Sequence, residues 1–389
     1  MSGEKNLSII ISCHGKTPYF SEMLDSLLSS KYHFQNTEIL ICDDGSPAGG
    51  DGDTARKYAN WHPGLIKCIR NEQNLGVSRS YQRLVALSCG RYIMPFDSDD
   101  IFVPFDIDGA IKELDDNPQW CANYGKKMLF SAKDGYMNSS HGGDYSSFAL
   151  LLDPRMTHIG MIIRASDLKN SRGYQLHDGN VCRVADDVCM WSAICGKKEM
   201  HFRNEIRGFY RMHPGQETAV KTQLFAQSYE LIRNSFLAEH RETAAKIVPD
   251  KNFQLREDER IPAVVISGIK YIRSQNPAEK IAYLNIATQL LPDDYGIDEY
   301  RIKDAIAAND MQTAALYTLF MLEKHRDNLY IRNVALSFAE KLCKIDPLLA
   351  ARLPACRQKC VMEFFKLTDE QKQLLDKTAA QAKKYVSDI

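Results

Sequence analysis

Short acidic runs hold most of the side chains in this chain that could do chemistry. Asp97-Ser98-Asp99-Asp100 closes the apolar run RYIMPF. Carboxylates packed this closely repel one another unless a cation lies between them. Alternate residues of an extended segment point to opposite faces, so Asp97 and Asp99 meet on one ion only if the chain turns there. A hard divalent ion such as Mg or Mn, shared with a phosphate, suits that arrangement. A solvated acidic turn capping the next helix is the plainer alternative. Asp43-Asp44-Gly45-Ser46 follows the run TEILIC and again places carboxylates beyond an apolar stretch. Turn formation alone would also explain it. Asn74-Leu75-Gly76-Val77-Ser78 forms a Gly-containing bend before a helical pattern over 78–87.

The elements that must position these runs come from hydrophobic spacing. Residues 7–12, 37–42, 65–69 and 91–96 are compact apolar runs, and 157–164 and 206–212 read as further strands. Between them lie stretches with helical spacing, such as Phe20, Met23, Leu24, Leu27 and Leu28. Near-continuous apolar strands separated by helices predict a parallel sheet covered on both faces. In such sheets ligands sit outside the carboxyl ends of the strands, where the acidic runs fall. From about Thr222 the pattern becomes helical, with stripes over 279–291, 311–324, 328–345 and 355–365. A last helix starts at a capping box, Thr368-Asp369-Glu370-Gln371. No clean fixed-period repeat is found. The boundary is expected between Gly215 and Thr222, giving a domain over 1–221 and a helical domain over 222–389.

Composition narrows the class without naming an activity. The 389 residues suit two domains, and 49 basic against 50 acidic side chains leave a net charge of -1. No global field draws the chain onto nucleic acid. The 11 cysteines are scattered, with no CxxC pair, which reads as reduced thiols in the cytosol rather than a disulfide framework. The apolar stretch near the N-terminus is short and lacks a small-residue cleavage site, and no run of about 18 apolar residues occurs. Neither a signal peptide nor a spanning segment is expected.

In order, the DDGS, NLGVS and G-R-Y-I-x-x-x-D-S-D-D segments resemble the family-2 glycosyltransferases. The resemblance covers roughly residues 7–218 and implies a GT-A fold. That fold is a Rossmann-like, mostly parallel mixed sheet flanked by helices, followed here by an all-α C-terminal domain. It also implies roles for single residues. Ser12, His14 and Asp43 or Asp44 would hold the base and ribose of a nucleotide, with an Asp accepting the uracil N3–H. Asn74, Gly76 and Arg79 would lie along the nucleotide. Asp99 would be the principal ligand of a Mn or Mg ion, with Asp97 and Ser98 beside it. The sequence departs from the family pattern after the first strand, reading Ser12-Cys13-His14-Gly15, and Tyr81-Gln82 stands where Arg-Asn is frequent.

Further along, Val184-Ala185-Asp186-Asp187-Val188-Cys189-Met190-Trp191 resembles the family's E-D-x-x-x-W region. The resemblance makes Asp187 the general base, with Asp186 next in line. An acid pair favoured at a helix N-terminus is the structural alternative. Tyr210-Arg211-Met212-His213 resembles the Y-R-x-H ending, which would make His213 a metal or diphosphate ligand and Arg211 a phosphate partner. Arg172-Gly173-Tyr174 looks like the segment before the acceptor loop. The Gly-, Ser- and Asn-rich stretch over 134–145 reads as a lid or a loose surface loop.

These residues imply a metal-dependent inverting transfer of a hexosyl or N-acetylhexosaminyl group from a UDP-sugar to a glycan or lipid-linked acceptor. Cytosolic placement, peripheral membrane contact and a homo-oligomer built through the helical domain complete the expectation. Basic and apolar residues mix near the C-terminus (Arg352, Arg357, Lys359 and Lys366 against Leu353, Val361, Phe364 and Phe365), as in a lipid- or partner-facing surface or a packed hairpin. Two other readings compete. A catalytically inactive sugar-nucleotide-binding scaffold would show no metal-dependent UDP binding. A nucleotidyltransferase would carry a Gly-rich basic loop after the first strand, where SCHGKTPYF has a single Gly.

Overall fold

The structure, a computed structural model, describes residues 5–15, 18–30, 32–131, 135–195, 198–216, 222–249 and 251–345. The chain opens with β1 (Leu7–Cys13), α1 (Tyr19–Leu28), β2 (Thr37–Asp43), α2 (Asp51–Trp61), β3 (Ile66–Arg70), α3 (Val77–Leu87) and β4 (Tyr92–Asp97). β1 pairs in parallel with β2 on one side and β4 on the other. That central place explains its unbroken apolar run, because both of its faces are covered. Ile9, Ile10 and Ile11 are fully buried. In α1 the residues at three-to-four spacing, Phe20, Met23, Leu24 and Leu27, form the buried face.

The sheet continues through β5 (Ile101–Phe102), α4 (Ile107–Asp116), β6 (Trp120–Ser131), β7 (Gly135–His141), β8 (Ile162–Arg164), α5 (Ala165–Lys169), α6 (Asp186–Ile194) and β9 (Glu199–Met212). Its nine strands run in the order β3-β2-β1-β4-β8-β6-β9-β5, with β7 paired to β6. The sheet is mixed. β8 pairs antiparallel with β4 and β6, while β6 and β9 pair in parallel. The stretch read as a loop over 134–145 contains β7, antiparallel to β6. The apolar run over 157–164 shortens to β8, because only Ile162–Arg164 meet partner strands. Strand order reverses between β1 and β4, and the crevice beyond those strand ends is where such sheets bind ligands.

The chain divides into two compact units, and the division differs from the expected cut at 221/222. Residues 143–155 group with those after His240, whereas α7 (Thr222–Glu239) groups with the sheet. In the first unit, α7 buries Ile232 and Phe236, and Glu239 pairs with Arg172 at 2.8 Å. The second unit contains α8 (Arg241–Lys246), α9 (Arg260–Arg273), α10 (Pro277–Leu290), α11 (Tyr295–Ala307), α12 (Met311–Lys324) and α13 (Leu329–Ile345). It holds residues 143–155 through specific bonds. Asp294, the N-cap of α11, accepts from Ser146 Oγ at 2.5 Å and from Phe148 N at 3.1 Å. Arg155 pairs with Glu299 at 2.7 Å. Local sequence pattern carries no trace of such contacts, which join positions more than 140 apart. The helices expected after residue 354, with their basic and apolar mixture, lie outside the described residues. No helix among the described residues is long and apolar enough to cross a membrane.

One glycine of the helical unit has a plain steric purpose. A Cβ on Gly268 in α9 would lie 2.3 Å from the Phe148 carbonyl oxygen. Helix propensity alone favours Ala over Gly by about 1 kcal/mol. Gly268→Ala is instead expected to destabilise the unit by about 1–3 kcal/mol through overpacking. A urea titration following helical signal checks the sign, and a stabilised variant would refute the close contact.

Candidate active site

A cavity of about 260 Å³ opens at the switch point, lined by Ser12 from β1 and by Asp97, Ser98 and Asp99 from the end of β4. Ser12 and Asp97 are direct neighbours in the β1–β4 register. Asp186 and Asp187 also line it. They open α6 after Ala185, a non-glycine residue in the left-handed region at φ 60°. Backbone of that kind costs about 1–3 kcal/mol and persists where surrounding packing imposes it. Here it turns two carboxylates onto the rim of the cavity.

The acids differ in their surroundings. Burial alone would raise the Asp97 carboxyl, but the His158 imidazole and the Tyr81 hydroxyl outweigh it and hold the group below the usual carboxylate range. Tyr81 donates to Asp97 Oδ1 at 3.0 Å, and His158 Nδ1 lies 3.5 Å from the same oxygen. His158 is itself buried, which lowers its pKa, yet Asp97 first and then Asp186 and Asp187 hold it above the ordinary imidazole value. Asp187 moves the other way. Burial raises it, and His158 and the Val188 N–H only partly compensate. Asp100 is buried and pushed well above the ordinary range by desolvation and by Asp99 and Asp97. Its Oδ1 accepts from Arg211 N at 2.9 Å, while Oδ2 is buried with no hydrogen-bond partner among the described residues.

His213, from the segment after β9, brings Nε2 to 3.0 Å from Asp99 Oδ2. Arg211 is placed differently from the expected phosphate contact. Its side chain is buried, with Nη2 donating to Glu22 at 2.7 Å and Nε to the Asp99 carbonyl at 2.8 Å. Its guanidinium also lies over the Tyr19 ring at 4.5 Å. These contacts engage the guanidinium within the protein and away from the cavity lining.

The other expected nucleotide residues form a second group, outside that lining. Asp43 is buried, pairs with Arg70 across the β2–β3 register and accepts from Ser46 N at 2.8 Å. Asp44 accepts from Asn71 Nδ2 at 2.7 Å, Leu75 N at 2.9 Å and Gly76 N at 2.8 Å. Its carboxylate therefore holds the bend that carries Asn74 and Gly76. Gly76 adopts φ +88°, a conformation that disfavours any side chain. His14 is exposed and donates from Nδ1 to the Asp44 carbonyl at 2.8 Å, and Arg79 is exposed on α3. Asp44→Ala removes an acceptor shared by three donors, of which Asn71 keeps Ser80 Oγ and Gly76 N keeps Asn74 Oδ1. It is expected to lower stability by about 2–3 kcal/mol, read as a shifted urea midpoint. An unchanged midpoint would show that the bend holds itself.

Several cavity residues carried no expected role, although Tyr210 and Gln216 lie in or beside the Y-R-x-H segment. His158, Lys127, Tyr210, Gln216 and Phe225 all line it. Gln216 Nε2 donates to the Tyr210 hydroxyl at 2.8 Å, and the Lys127 ammonium lies 4.1 Å from the Tyr210 ring centroid. Tyr81 and Gln82, where the family often has Arg-Asn, serve a local network. Tyr81 stacks on Tyr174 at 5.1 Å, and Gln82 Oε1 accepts from Tyr174 N at 3.0 Å. A lysine on a strand or a histidine before one carries no spacing cue. Only the sheet order directs them to the acids.

Residues 8–156 match the family Glycosyl transferase family 2. Among curated relatives, the Escherichia coli UDP-Glc:alpha-D-GlcNAc-diphosphoundecaprenol beta-1,3-glucosyltransferase WfaP is 26% identical over 243 residues, spanning 60% of this chain and 89% of that protein. The minor teichoic acid biosynthesis protein GgaB of Bacillus subtilis is 22% identical over 225 residues, spanning 56% of this chain but only 24% of GgaB. Among solved structures, S. aureus TarS 1-349 in complex with UDP-GlcNAc aligns with a TM-score of 0.48 at 16% identity, over 82% of this chain and 92% of that one. The segment that matches glycosyl transferase family 2 spans β1 to β7 and includes the acids at the ends of β2 and β4 of a mixed sheet, and the protein is a glycosyltransferase with a GT-A-type catalytic unit.

Proposed function

We propose that this chain is a metal-dependent, inverting glycosyltransferase that moves a sugar from a UDP-sugar to an acceptor hydroxyl in surface-polysaccharide or glycoconjugate assembly. The observation that carries the reading is the meeting of Asp97, Asp99, Asp186 and Asp187 around one cavity at the switch point. In this reading Asp187 takes the proton of the acceptor hydroxyl as that oxygen attacks the anomeric carbon. Its raised pKa makes it a better proton acceptor than an unperturbed carboxylate. A single base with in-line attack inverts the anomeric configuration. Asp186 is the alternative base.

The donor set fits a hard divalent ion such as Mn or Mg. Asp99 Oδ2 and His213 Nε2 approach to 3.0 Å, close enough to share an ion, and Asp97 lies on the same wall. Among the described residues no group of three or more His, Cys, Asp or Glu side chains is placed to hold a metal ion. When bound, the ion supplies positive charge for the diphosphate as it leaves.

The chain's own residues do the rest. Ser12 and Ser98 offer hydroxyls along the donor wall. Asp43, Asp44, Asn74, Gly76 and Arg79 shape the nucleotide side, with His14 at its edge. A lipid-linked or glycan acceptor is favoured by the name of the E. coli relative, which specifies UDP-Glc as donor and a diphosphoundecaprenol-linked sugar as acceptor. We assign the helical part to oligomerisation, acceptor docking or apposition to a membrane from the cytosolic side. Incubation with a panel of UDP-sugars and GDP-sugars, with and without Mn, tests the reading by nucleotide release. Turnover with GDP-sugars alone, or equal turnover after chelation, would refute it.

A further inference from the structure

Four carboxylates line the cavity, and among the described residues that line it Lys127 is the one lysine or arginine. A diphosphate entering that space brings more negative charge. The arginine that sequence motifs offer for it, Arg211, is engaged by Glu22, the Asp99 carbonyl and the Tyr19 ring. Lys127 differs in each respect. It sits in the middle of β6, between β7 and β9, where backbone pairing on both sides fixes its Cα. Alternation along the strand sends its neighbour Lys126 into the protein interior and Lys127 toward the cavity. Among the described residues its ammonium makes no ion pair with a carboxylate. It rests over the Tyr210 ring at 4.1 Å, and Gln216 holds the Tyr210 hydroxyl at 2.8 Å. A ring face steadies an ammonium while leaving its N–H donors available.

We propose that Lys127 is a phosphate-binding residue of the donor site, contacting the diphosphate of the nucleotide-sugar from the wall formed by β6 and β9. It would offset negative charge on the leaving group. The proposal rests on the nucleotide-sugar reading above.

Calorimetric titration of the full chain, in the presence of Mn, separates the two ideas. Wild type, Lys127→Gln and Lys127→Arg are each titrated with UDP, GDP, uridine and inorganic pyrophosphate. Loss of one charge-assisted contact predicts that Lys127→Gln binds UDP and pyrophosphate about tenfold or more weakly. Uridine affinity should be unchanged, and Lys127→Arg should retain most of the affinity for UDP. The arginine variant also controls for folding. Equal UDP affinity in wild type and Lys127→Gln overturns the proposal. Should wild type bind neither UDP nor GDP, the donor reading falls and pyrophosphate alone decides. Equal pyrophosphate affinities in wild type and Lys127→Gln, or no pyrophosphate binding by wild type, then overturn the role of Lys127.

Discussion

Asp187→Asn is expected to lower kcat by about 10²–10⁴-fold while leaving UDP affinity nearly intact. The substitution keeps the shape of the side chain and removes its capacity to take a proton. Asp187 stands in the first turn of α6, and its Oδ1 accepts from Val188 N at 2.7 Å. The amide oxygen of Asn can keep that bond, so the helix start should survive. Burial, opposed by His158, holds the carboxyl above its ordinary value of 3.8. The sign for pH follows directly. A base works only when deprotonated, so the rate should fall as pH drops through that raised value. The acid limb of the wild-type profile should therefore lie above the range of an unperturbed carboxylate. It should be missing from the residual activity of the variant. The decisive comparison is kcat against UDP affinity. A variant that transfers sugar at the wild-type rate moves the base elsewhere, with Asp186 the next residue to test. A variant that loses UDP binding as well would show that Asp187 shapes the donor site.

Asp99→Ala is expected to abolish metal-dependent UDP binding and to reduce turnover by at least about 10²-fold, the scale of several kcal/mol of electrostatic stabilisation. Asp99 Oδ2 is the carboxylate oxygen that meets His213, and removing it leaves the imidazole without that partner at the cavity edge. The Asp99 carbonyl should keep its bond from Arg211, because that bond uses the backbone. Folding should thus persist while affinity changes. The measurement is UDP affinity with Mn and with chelator. Wild type should show a large difference between the two conditions, and the variant should show almost none. Chelator alone should bring wild type close to the variant. Equal affinities for wild type in both conditions would remove the metal from the donor site altogether. Retained metal dependence in the variant would move the ion to other ligands.

Much of the catalytic unit was legible in the sequence because its signals are local. A strand buried on both faces must be apolar nearly throughout, so β1, β2 and β4 stand out as IIIS-, EILI- and YIMPF-type runs. Carboxylates directly after such runs fall at strand ends, whatever the final strand order. The family resemblance, the places of Asp97, Asp99, Asp186 and Asp187 in the chain, and the helical character of the described residues after Thr222 follow from such local patterns. α12 spans the same residues, 311–324, that its apolar spacing suggests.

What only the tertiary structure decided was which side chains meet. Strand order sets β6 and β9 beside one another, and that pairing carries Lys127 and Tyr210 to the acids from distant positions. The same folding turns Arg211 inward. A guanidinium that leaves solvent needs partners, and Glu22, on a helix nearly two hundred residues earlier, supplies one. Residues 143–155 join the helical unit for a similar reason, since Asp294 accepts from Ser146 and Phe148 and Glu299 pairs with Arg155 across more than 140 positions. Local pattern determines the element and its buried face, because those depend on residues three or four positions apart. Charge pairing and cavity lining depend on contacts between remote segments, so the acids of this site were visible in the sequence while the cation facing them was not.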